Sequence, residues 1–537
     1  MPFAWVRITR HPLVAAIVAL RQAFAHRLAR QPILAYLTVF TAAGLLSVWV
    51  QSTPTFADPD SFYHAKMALL ISERGIFTQF PWLQFTVLRD SFADHQFLYH
   101  VLLIPWVRLL PPLLGLKLAT VTFFATAVTA FYALLRSWGV TRVGWPTGLL
   151  LATSPFVFRA NLAKAQPLAF ATLFVWLILL TRARLRWLAV LSFFYVWLYG
   201  GWPLMVVLAG LHAFAFIILA PAGERHSALR RQAGSVGAVG GGVLLALLLH
   251  PYFPHHLQFY WNQIVQIAVI NYQETIGVGG EWYPYPALEL LAATSLASFA
   301  ALVGLTLYVL TWRRQTPRTA FLLLATALLY AMTLRSRRNV EYLVPLAILF
   351  SADALRGSIA GQPLRPFWNE LKTFLREQKL FLAAVVLPLL MVPYLVVRDV
   401  ASVRGAFRDG IPLTRFAAAS GWLQANAPPD ALIFHSDWDD FPMLWYYNSQ
   451  SRYLVGLDPT FMYRFDRVRY GEWERVTTGR ERARLYEIVA ERFGAAFVFV
   501  GTEQESMRKL VAGNPGFHEV YRDPEATIFE VLPLPRL

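Results

Sequence analysis

The stretch ILAYLTVFTAAGLLSVWV at residues 33–50, continued by QSTPTFADPDSFYH at residues 51–64, decides the fold of this chain. Its first part carries no charged side chain and is long enough for a helix that crosses the roughly 30 Å of hydrocarbon in a bilayer. Asp58, Asp60 and His64 follow closely in the second part. We therefore predict a membrane-spanning helix that ends at a polar loop rich in potential ligands.

Composition extends this interpretation to most of the chain. Of 537 residues, 56% are hydrophobic and only 15% are charged, which is more apolar surface than one soluble core can bury. We predict a mainly α, polytopic membrane protein with about eleven transmembrane helices. Besides residues 33–50, the apolar segments are 116–135, 144–158, 168–180, 187–198, 203–219, 236–249, 288–310, 320–332, 342–355 and 380–397.

The distribution of arginines predicts the orientation of these helices. The first 33 residues contain arginines but no acidic residue, whereas residues 250–287 contain neither Lys nor Arg. Cytoplasmic loops are enriched in Lys and Arg, so we expect a cytoplasmic N-terminus, an uncleaved first helix and an extracytoplasmic chain after Arg398. The basic loops expected inside are 136–142, 182–186, 225–231, 313–318 and 356–379.

The C-terminal part of the sequence has a different character from about residue 410 onwards, with shorter apolar runs and more charge. This pattern predicts a small extracytoplasmic α/β domain. We divide the chain into a transmembrane domain at 1–400, with long outer loops at 51–113 and 250–287, and a soluble domain at 401–537. The elements expected in the soluble domain are helices at 414–426 and 480–493 and strands at 431–435, 496–500 and 526–531.

The charge and cysteine content limit the possible partners. The net charge is +16, but the basic residues are dispersed over predicted cytoplasmic loops and the tail. Anionic lipid headgroups explain this distribution, and no nucleic-acid-binding signature accompanies it, so we expect membrane lipids and no nucleic acid as partners. The chain has no Cys, so a metal would need carboxylate, imidazole or amide ligands.

Two clusters of ionisable residues lie in the first predicted outer loop. Asp58, Asp60 and His64 are suitable ligands for Mg²⁺ or Mn²⁺, which would bring a substrate phosphate to the protein; alternatively, one of the aspartates caps the helix that follows. Asp94 and His95 occur in SFADHQFLYH at 91–100. They could belong to an interfacial site, or they could anchor a helix at the headgroups.

The order of a first span, the DPDSFYH loop at 58–64, many further spans and a polar tail resembles the catalytic subunit of oligosaccharyltransferase. That family includes the bacterial PglB-like and archaeal AglB-like enzymes and has the GT-C membrane fold. The resemblance implies transfer of a glycan from a polyprenyl-linked donor to an acceptor, with a divalent metal held by acidic loop residues. It also implies a bacterial plasma (inner) membrane protein in which Asp60 is catalytic and binds the metal.

The family's second acidic motif is replaced here by RANLAKAQPL at 159–168. Gln166 stands about where the first acidic ligand belongs, and Lys164 lies nearby. A lysine ammonium repels a divalent cation, so metal dependence is left open. Lys164 and Arg159 could instead neutralise the donor phosphate, or they could simply reach lipid headgroups.

Two further stretches match the family in part. NYQETIGVGGEWYPYP at 271–286 is similar to the family's mobile acceptor loop, with Glu274 or Glu281 as substitutes for its acid; otherwise it is a flexible glycine-rich lid. RSRRNVEYLVP at 335–345 places Arg338 where the resemblance implies an arginine for the lipid-linked phosphate, with Arg337 beside it. Headgroups or carboxylates of the tail are the alternative partners of these arginines.

In the tail, HSDWDDFPMLWYYNSQSRYLVGLDPTF at 435–461 resembles the stretch that holds the family's acceptor-recognition motif. The resemblance implies that Trp438, Asp439 and Asp440 contact the acceptor. Only part of the motif is present, so the acceptor stays open between a protein asparagine, a hydroxyl group, a lipid and a glycan.

These residues together predict a membrane glycosyltransferase that uses a polyprenyl-linked phosphate or pyrophosphate donor on the extracytoplasmic face. The alternatives are a non-enzymatic transporter or assembly protein, or an inactive relative. A transporter is expected to carry polar groups in the middle of its spans or paired interrupted helices. Here the acidic residues cluster in the predicted outer loops instead.

Overall fold

A computed structural model describes residues 32–359, 373, 377 and 379–533 of this protein, with the side chains of 379–389 excluded. The basic N-terminal segment and most of the basic loop at 356–379 therefore lie outside the described residues. Within them the chain is mainly helical.

Each apolar segment of the first part of the chain lies in one or two of the observed helices, and further helices lie between these segments. They are Pro32–Gln51, Asp60–Arg74, Phe97–Leu109, Pro112–Ser137, Gly144–Ala152, Ser154–Asn161, Gln166–Thr181, Leu185–Leu198, Pro203–Ile218, Arg225–Leu248, His255–Tyr260, the π-helix Trp261–Ile270, Ala287–Ala293, Ser295–Leu310, Pro317–Arg335, Val340–Ile359 and Lys379–Arg408. The 3₁₀ turns among them are Ala222–Glu224, Gly280–Trp282, Trp312–Arg314 and Arg337–Asn339.

Length and composition identify membrane spans among these helices. In the described part of the chain, five helices are long and apolar enough to cross a membrane. Two helix pairs are broken spans or re-entrant loops, Ser154–Asn161 with Gln166–Thr181 bent by 114° and Ala287–Ala293 with Ser295–Leu310 bent by 95°. The protein is therefore a multi-pass membrane protein, and a total of about eleven spans stays a prediction.

The structure differs from the expected segmentation at three places. The expected span 144–158 is divided at Thr153 into two helices. The basic residues 225–231 form the first turns of the helix Arg225–Leu248 and not a loop. The helix Phe97–Leu109 lies inside the expected outer loop, and its 13 residues with Arg108 in the last turn are too few for a hydropathy criterion to identify it as a span.

The C-terminal part contains a five-stranded sheet. The strands of the chain are β1 Thr55–Phe56, β2 Ile411–Pro412, β3 Leu432–His435, β4 Arg452–Tyr453, β5 Phe497–Gly501, β6 Phe517–Arg522 and β7 Ala526–Val531. The short strands β1 and β2 form a separate pair, whereas the order in the large sheet is β4-β3-β5-β7-β6. Strand β3 pairs in parallel with β4 and β5, while β7 pairs antiparallel with β5 and β6.

The sequence predicted three of these strands, β3, β5 and β7, to within one residue at each end. Strand β5 is buried along its whole length, which is why it reads as a continuous apolar run. The expected helix at 480–493 is reduced to the π-helix Glu487–Arg492. The remaining helices here are Ala417–Asn426, the 3₁₀ turn Trp438–Asp440, Phe441–Tyr447, Thr460–Phe465, Arg467–Thr477 and Glu505–Ala512.

The first of the predicted outer loops is attached to the C-terminal part at several points. Strand β1 in this loop pairs antiparallel with β2, and Leu83 forms a bridge with Tyr453 of β4. The rings of Trp82 and Trp445 lie 5.3 Å apart, and both are buried. These contacts hold the loop that carries the DPD sequence against the sheet.

The proposed division at residues 400 and 401 falls inside the helix Lys379–Arg408, which continues to the residue before Asp409. The division into a transmembrane and a soluble domain stays a prediction.

Candidate functional site

A cavity of about 550 Å³ lies where the predicted outer loops meet the C-terminal part of the chain. Nine residues that the sequence singled out line it, although they come from five separate stretches. The charged and aromatic lining residues are Asp58, Asp60, Phe158, Arg159, Lys164, Glu281, Trp282, Tyr285, Arg337, Arg338, Trp438, Asp439 and Asp458.

The two aspartates of the DPD sequence lie at the beginning of the helix Asp60–Arg74. The backbone N–H of Asp60 donates to Asp58 Oδ1 at 2.9 Å, so Asp58 also fixes the turn that starts this helix. Lys164 Nζ lies 2.8 Å from Asp58 Oδ2 and 2.8 Å from Asp60 Oδ2. One ammonium group therefore joins both carboxylates.

Lys164 reaches the aspartates from the short loop between the helices Ser154–Asn161 and Gln166–Thr181, whose axes differ by 114°. Burial opposes its charge, but the nearby carboxylates of Asp58 and Asp60 outweigh burial and hold the pKa of Lys164 above its ordinary value. Burial has the larger effect on Asp60 and raises its pKa, with Lys164 opposing the rise.

A second group of charges alternates in sign. Arg159 NH1 lies 2.6 Å from Glu281 Oε2, and Arg159 Nε lies 2.8 Å from Glu341 Oε2. Arg338 NH1 lies 2.5 Å from the other oxygen of Glu281. The Tyr199 hydroxyl donates to Glu341 Oε1 at 3.0 Å. Each carboxylate thus has two donors, as expected for charges removed from water.

Burial makes these ion pairs strong. The side chain of Glu341 is fully buried, and that of Arg159 is 11% exposed. Burial favours the neutral form of Glu281, but Arg338 and Arg159 outweigh it and hold the pKa of this carboxyl well below its usual range. Glu281 therefore stays ionised and neutralises two arginines at once.

The loop that carries Glu281 is held against the site. Trp282 supports the guanidinium of Arg338, which lies 5.0 Å from the centre of its ring. The Ser336 hydroxyl donates to the Glu281 carbonyl at 3.0 Å. At the other end, the Asn271 amide donates to the Trp282 carbonyl at 2.8 Å. These bonds close residues 271–282 into a compact loop over the arginines.

The tail contributes Trp438 and Asp439 to the cavity from a 3₁₀ turn. Trp438 lies close to Gly279 of the loop above the arginines. Burial, together with the charge of Asp60, raises the pKa of Asp439 to about 9, so this carboxyl group carries a proton at neutral pH. Asp440 does not line the cavity; it accepts from the Ser436 hydroxyl at 2.9 Å and stabilises the turn.

The other candidates of the sequence lie away from the cavity lining. His64, His100 and Asp94 form a buried chain, with His64 Nδ1 2.8 Å from His100 Nε2 and His100 Nδ1 2.6 Å from Asp94 Oδ2. His95 stacks on Phe259 with 4.8 Å between the ring centres. Gln166 is buried at the start of its helix, and Glu274 is exposed.

The structure also adds residues that the motif analysis did not assign. Glu341 and Tyr199 complete the charge group, Trp282 supports Arg338, and Asp458 lines the cavity. Burial raises the pKa of Asp458 to about 6. Glu341 carried a signal in the sequence, because it is an acidic residue beside an apolar span in NVEYLVP.

The residues of the site do not fit a divalent metal ion. The Lys164 ammonium already lies at hydrogen-bond distance from both aspartates, and a cation of charge +2 bound between them would meet this positive charge directly. Among the described residues, no group of three or more Asp, Glu or His side chains is placed to hold a metal.

Comparison with solved structures identifies the fold. The archaeal oligosaccharyltransferase AglB from Archaeoglobus fulgidus, in complex with an inhibitory peptide and a dolichol-phosphate, superposes with a TM-score of 0.63 and 13% identity, over 92% of this chain and 74% of that one. ArnT from Cupriavidus metallidurans, bound to undecaprenyl phosphate, gives a TM-score of 0.53 and 12% identity, over 92% of this chain and 98% of that one. The chain has the GT-C fold.

This GT-C fold is shared with a third type of enzyme, the arabinofuranosyltransferase AftD from mycobacteria, at a TM-score of 0.55 and 14% identity over 93% of this chain and 40% of that one. No family model and no curated protein sequence matches the chain. The resemblance to oligosaccharyltransferases that the sequence predicted is thus confirmed as a likeness of GT-C fold.

Proposed function

We propose that this protein is a membrane glycosyltransferase that transfers a sugar or glycan from a polyprenyl-linked phosphate or pyrophosphate to an acceptor on the extracytoplasmic face. The observation that carries the proposal is the cavity that Arg159, Arg337, Arg338 and Lys164 line together with Asp60, whose carboxylate lies 2.8 Å from Lys164 Nζ. The cations can stabilise a phosphate leaving group, and the carboxylate can accept a proton from a nucleophile.

The position of the arginines suits a phosphate attached to a lipid. Arg337 and Arg338 form the 3₁₀ turn between the helices Pro317–Arg335 and Val340–Ile359, and both helices are apolar enough to cross a membrane. The arginines therefore lie at the ends of two spans, where the headgroup region of a bilayer begins. A polyprenyl phosphate would place its phosphate at the same depth while its chain stays in the hydrocarbon.

The pairing with Glu281 indicates how the donor phosphate would be bound. Glu281 joins Arg159 and Arg338 through its two carboxylate oxygens, the geometry with which a phosphate also receives two arginines. We infer that the donor phosphate takes over these guanidinium donors and displaces Glu281. The loop at 271–282 would then move with its glutamate and admit the sugar.

The reaction follows from these positions. A lone pair of the acceptor's O–H or N–H group forms a bond to the anomeric carbon, while the bond from that carbon to the phosphate oxygen breaks and its electron pair leaves with the lipid phosphate. The arginines compensate the charge that develops on this oxygen. We assign Asp60 as the base that takes the acceptor's proton, because its carboxylate pairs with Lys164 inside the cavity and burial raises its pKa.

The acceptor would enter beside the tail. Trp438 offers an aromatic surface, and the protonated Asp439 offers a hydrogen-bond donor. Asp60 and Asp439 thus differ in role, one as base and one as neutral acid, because their environments differ. Asp440 would not contact the acceptor and would affect acceptor recognition only by stabilising the 3₁₀ turn that carries Trp438 and Asp439.

The proposal is tested by the consumption of defined donors. Purified protein in nanodiscs receives radiolabelled sugars linked to polyprenyl phosphate and to pyrophosphate, with candidate peptides, glycans and lipids as acceptors. We expect the wild type to turn over at least one donor, and we expect the rate of Asp60→Asn to be lower by a factor of about 100 or more. Asp90→Asn is the matched control, because Asp90 is exposed, pairs with Arg89 and lies outside the cavity.

Two outcomes would contradict the proposal. A wild-type protein that neither binds nor consumes any lipid-linked sugar would favour a transporter, an assembly protein or an inactive relative. Equal rates of Asp60→Asn and wild type would remove Asp60 as the base.

A further inference from the structure

The arrangement of Lys164 departs from what the resemblance to oligosaccharyltransferases implies. That resemblance implies that acidic loop residues hold a divalent metal and that Asp60 is one of its ligands. In this protein Lys164 Nζ lies 2.8 Å from one carboxylate oxygen of Asp58 and 2.8 Å from one of Asp60. The position between the two carboxylates therefore already contains a positive charge supplied by the chain itself.

The surroundings show that this contact is part of the site and not a mobile surface pair. The side chain of Lys164 is 11% exposed, and those of Asp58 and Asp60 are 21% and 30% exposed. The backbone N–H of Lys164 donates to the Leu162 carbonyl at 2.8 Å, which fixes the tight loop that presents the lysine. All three charged groups line the cavity.

We infer that Lys164 is a built-in cation that replaces the divalent metal of related sites. The chemical reasons are charge and distance. An ammonium group at hydrogen-bond distance compensates both carboxylates, whereas a divalent ion between them would have to displace it against direct repulsion. The catalytic part of the inference rests on the proposed function, and the metal-binding part does not.

The inference has two consequences. The wild-type protein binds no divalent ion at this site and needs none for turnover. Replacing Lys164 by a neutral residue of similar length leaves Asp58 and Asp60 uncompensated beside Asp439, and it thereby creates a site with oxygen ligands that suit Mn²⁺ or Mg²⁺.

Metal binding is the first measurement, because it does not depend on any sugar donor. Wild type, Lys164→Met and Lys66→Met are freed of metal with EDTA and titrated with Mn²⁺, and free Mn²⁺ is followed by electron paramagnetic resonance. Lys66 is the matched control: it belongs to the same helix as Asp60, but its Nζ lies 3.5 Å from the Tyr446 carbonyl and forms no ion pair with a carboxylate of the described residues.

We expect Mn²⁺ affinity to rise about tenfold or more in Lys164→Met and to stay at the wild-type level in Lys66→Met. Equal affinity in Lys164→Met and wild type would overturn the inference, and so would stoichiometric tight binding of Mn²⁺ by the wild type. The wild-type titration decides the question even if Lys164→Met does not fold, and Lys164→Gln serves as a second variant.

Turnover is the second measurement. With a donor that the wild type consumes, EDTA should leave the rate unchanged, and Mn²⁺ should restore part of the activity that Lys164→Met loses. Loss of wild-type activity in EDTA with recovery in Mn²⁺ would overturn the inference. If the wild type consumes no donor, the proposed function fails, and the Mn²⁺ titration still decides the role of Lys164.

Discussion

Arg338 and Glu281 form an ion pair in which NH1 of the arginine lies 2.5 Å from Oε1 of the glutamate, with both side chains 25% exposed. Glu281 also neutralises Arg159 through its other oxygen. In the proposed donor site this carboxylate lies where a phosphate would receive the same two guanidinium groups. The Arg338–Glu281 pair is therefore expected to be intact without donor and broken when the donor phosphate is bound.

Replacing Glu281 by Gln should make the protein depend on an anion for stability. Without the carboxylate, two largely buried arginines lose a shared partner, so the thermal unfolding midpoint should fall. Polyprenyl phosphate should then raise that midpoint more in Glu281→Gln than in wild type, because it no longer competes with Glu281. Thermal unfolding in detergent with increasing lipid phosphate measures both effects. Glu274→Gln, at an exposed position of the same loop, should behave as wild type.

Glu341 is predicted to be a stability determinant as well as part of the site. It is fully buried and accepts from Arg159 and Tyr199, so Glu341→Gln leaves part of a buried positive charge uncompensated, at a cost of about 3–5 kcal/mol. The thermal unfolding midpoint should drop clearly. Glu505→Gln, which breaks a surface pair with Arg508, should leave the midpoint nearly unchanged. A similar midpoint for both variants would contradict the role of the buried pair.

Asp439 should determine how the rate changes at alkaline pH. Burial and the charge of Asp60 raise its pKa to about 9, so the group carries its proton below that pH and loses it above. If its hydrogen bond orients the acceptor, wild-type turnover falls above about pH 9. Asp439→Asn cannot lose a proton and should show no such alkaline fall. Asp430→Asn is the control, because Asp430 is exposed and pairs with Arg452; its pH profile should match that of the wild type. If turnover of Asp439→Asn falls above about pH 9 as in the wild type, Asp439 does not orient the acceptor through its proton.

Trp282 should contribute to donor binding through Arg338. Its ring lies 5.0 Å from the guanidinium carbon, and a cation–π contact of this kind is worth about 0.5–2 kcal/mol. Trp282→Ala should therefore raise the KM for the lipid-linked donor by about 2- to 30-fold with a smaller change in kcat. The control is Trp312→Ala, which removes the stacking partner of Arg313 in a predicted cytoplasmic loop. Steady-state kinetics that show the same KM in both variants would argue against the contribution.

The sequence predicted the helical membrane architecture well because hydropathy is a local property. A run such as 116–135 is apolar by itself, and the structure has the helix Pro112–Ser137 there. The break at Thr153 and the bend between Ser154–Asn161 and Gln166–Thr181 were not predictable in the same way, because they depend on the packing of these short helices against their neighbours. The tail shows the same contrast: the buried strand β5 was expected, whereas β6, with five of its six residues half-buried or exposed, was not.

The motif analysis brought most of the charged cavity-lining residues to attention, including Asp60, Arg159, Lys164 and Arg338, but it did not predict how their charges are paired. Whether Glu274 or Glu281 belongs to the site was open in the sequence; the structure places Glu281 in the cavity and leaves Glu274 exposed. Both acids occur in the same glycine-rich loop, so only the path of the folded loop distinguishes them.

The sequence by itself determined that this protein spans a membrane and that its candidate chemistry lies in polar segments between and after the spans. The tertiary structure alone decided that Lys164 joins Asp58 and Asp60, and that Glu281 joins Arg159 and Arg338. The physical reason is that transfer into a bilayer depends on consecutive side chains, whereas charge compensation depends on distances of a few ångströms between residues that are far apart in the chain.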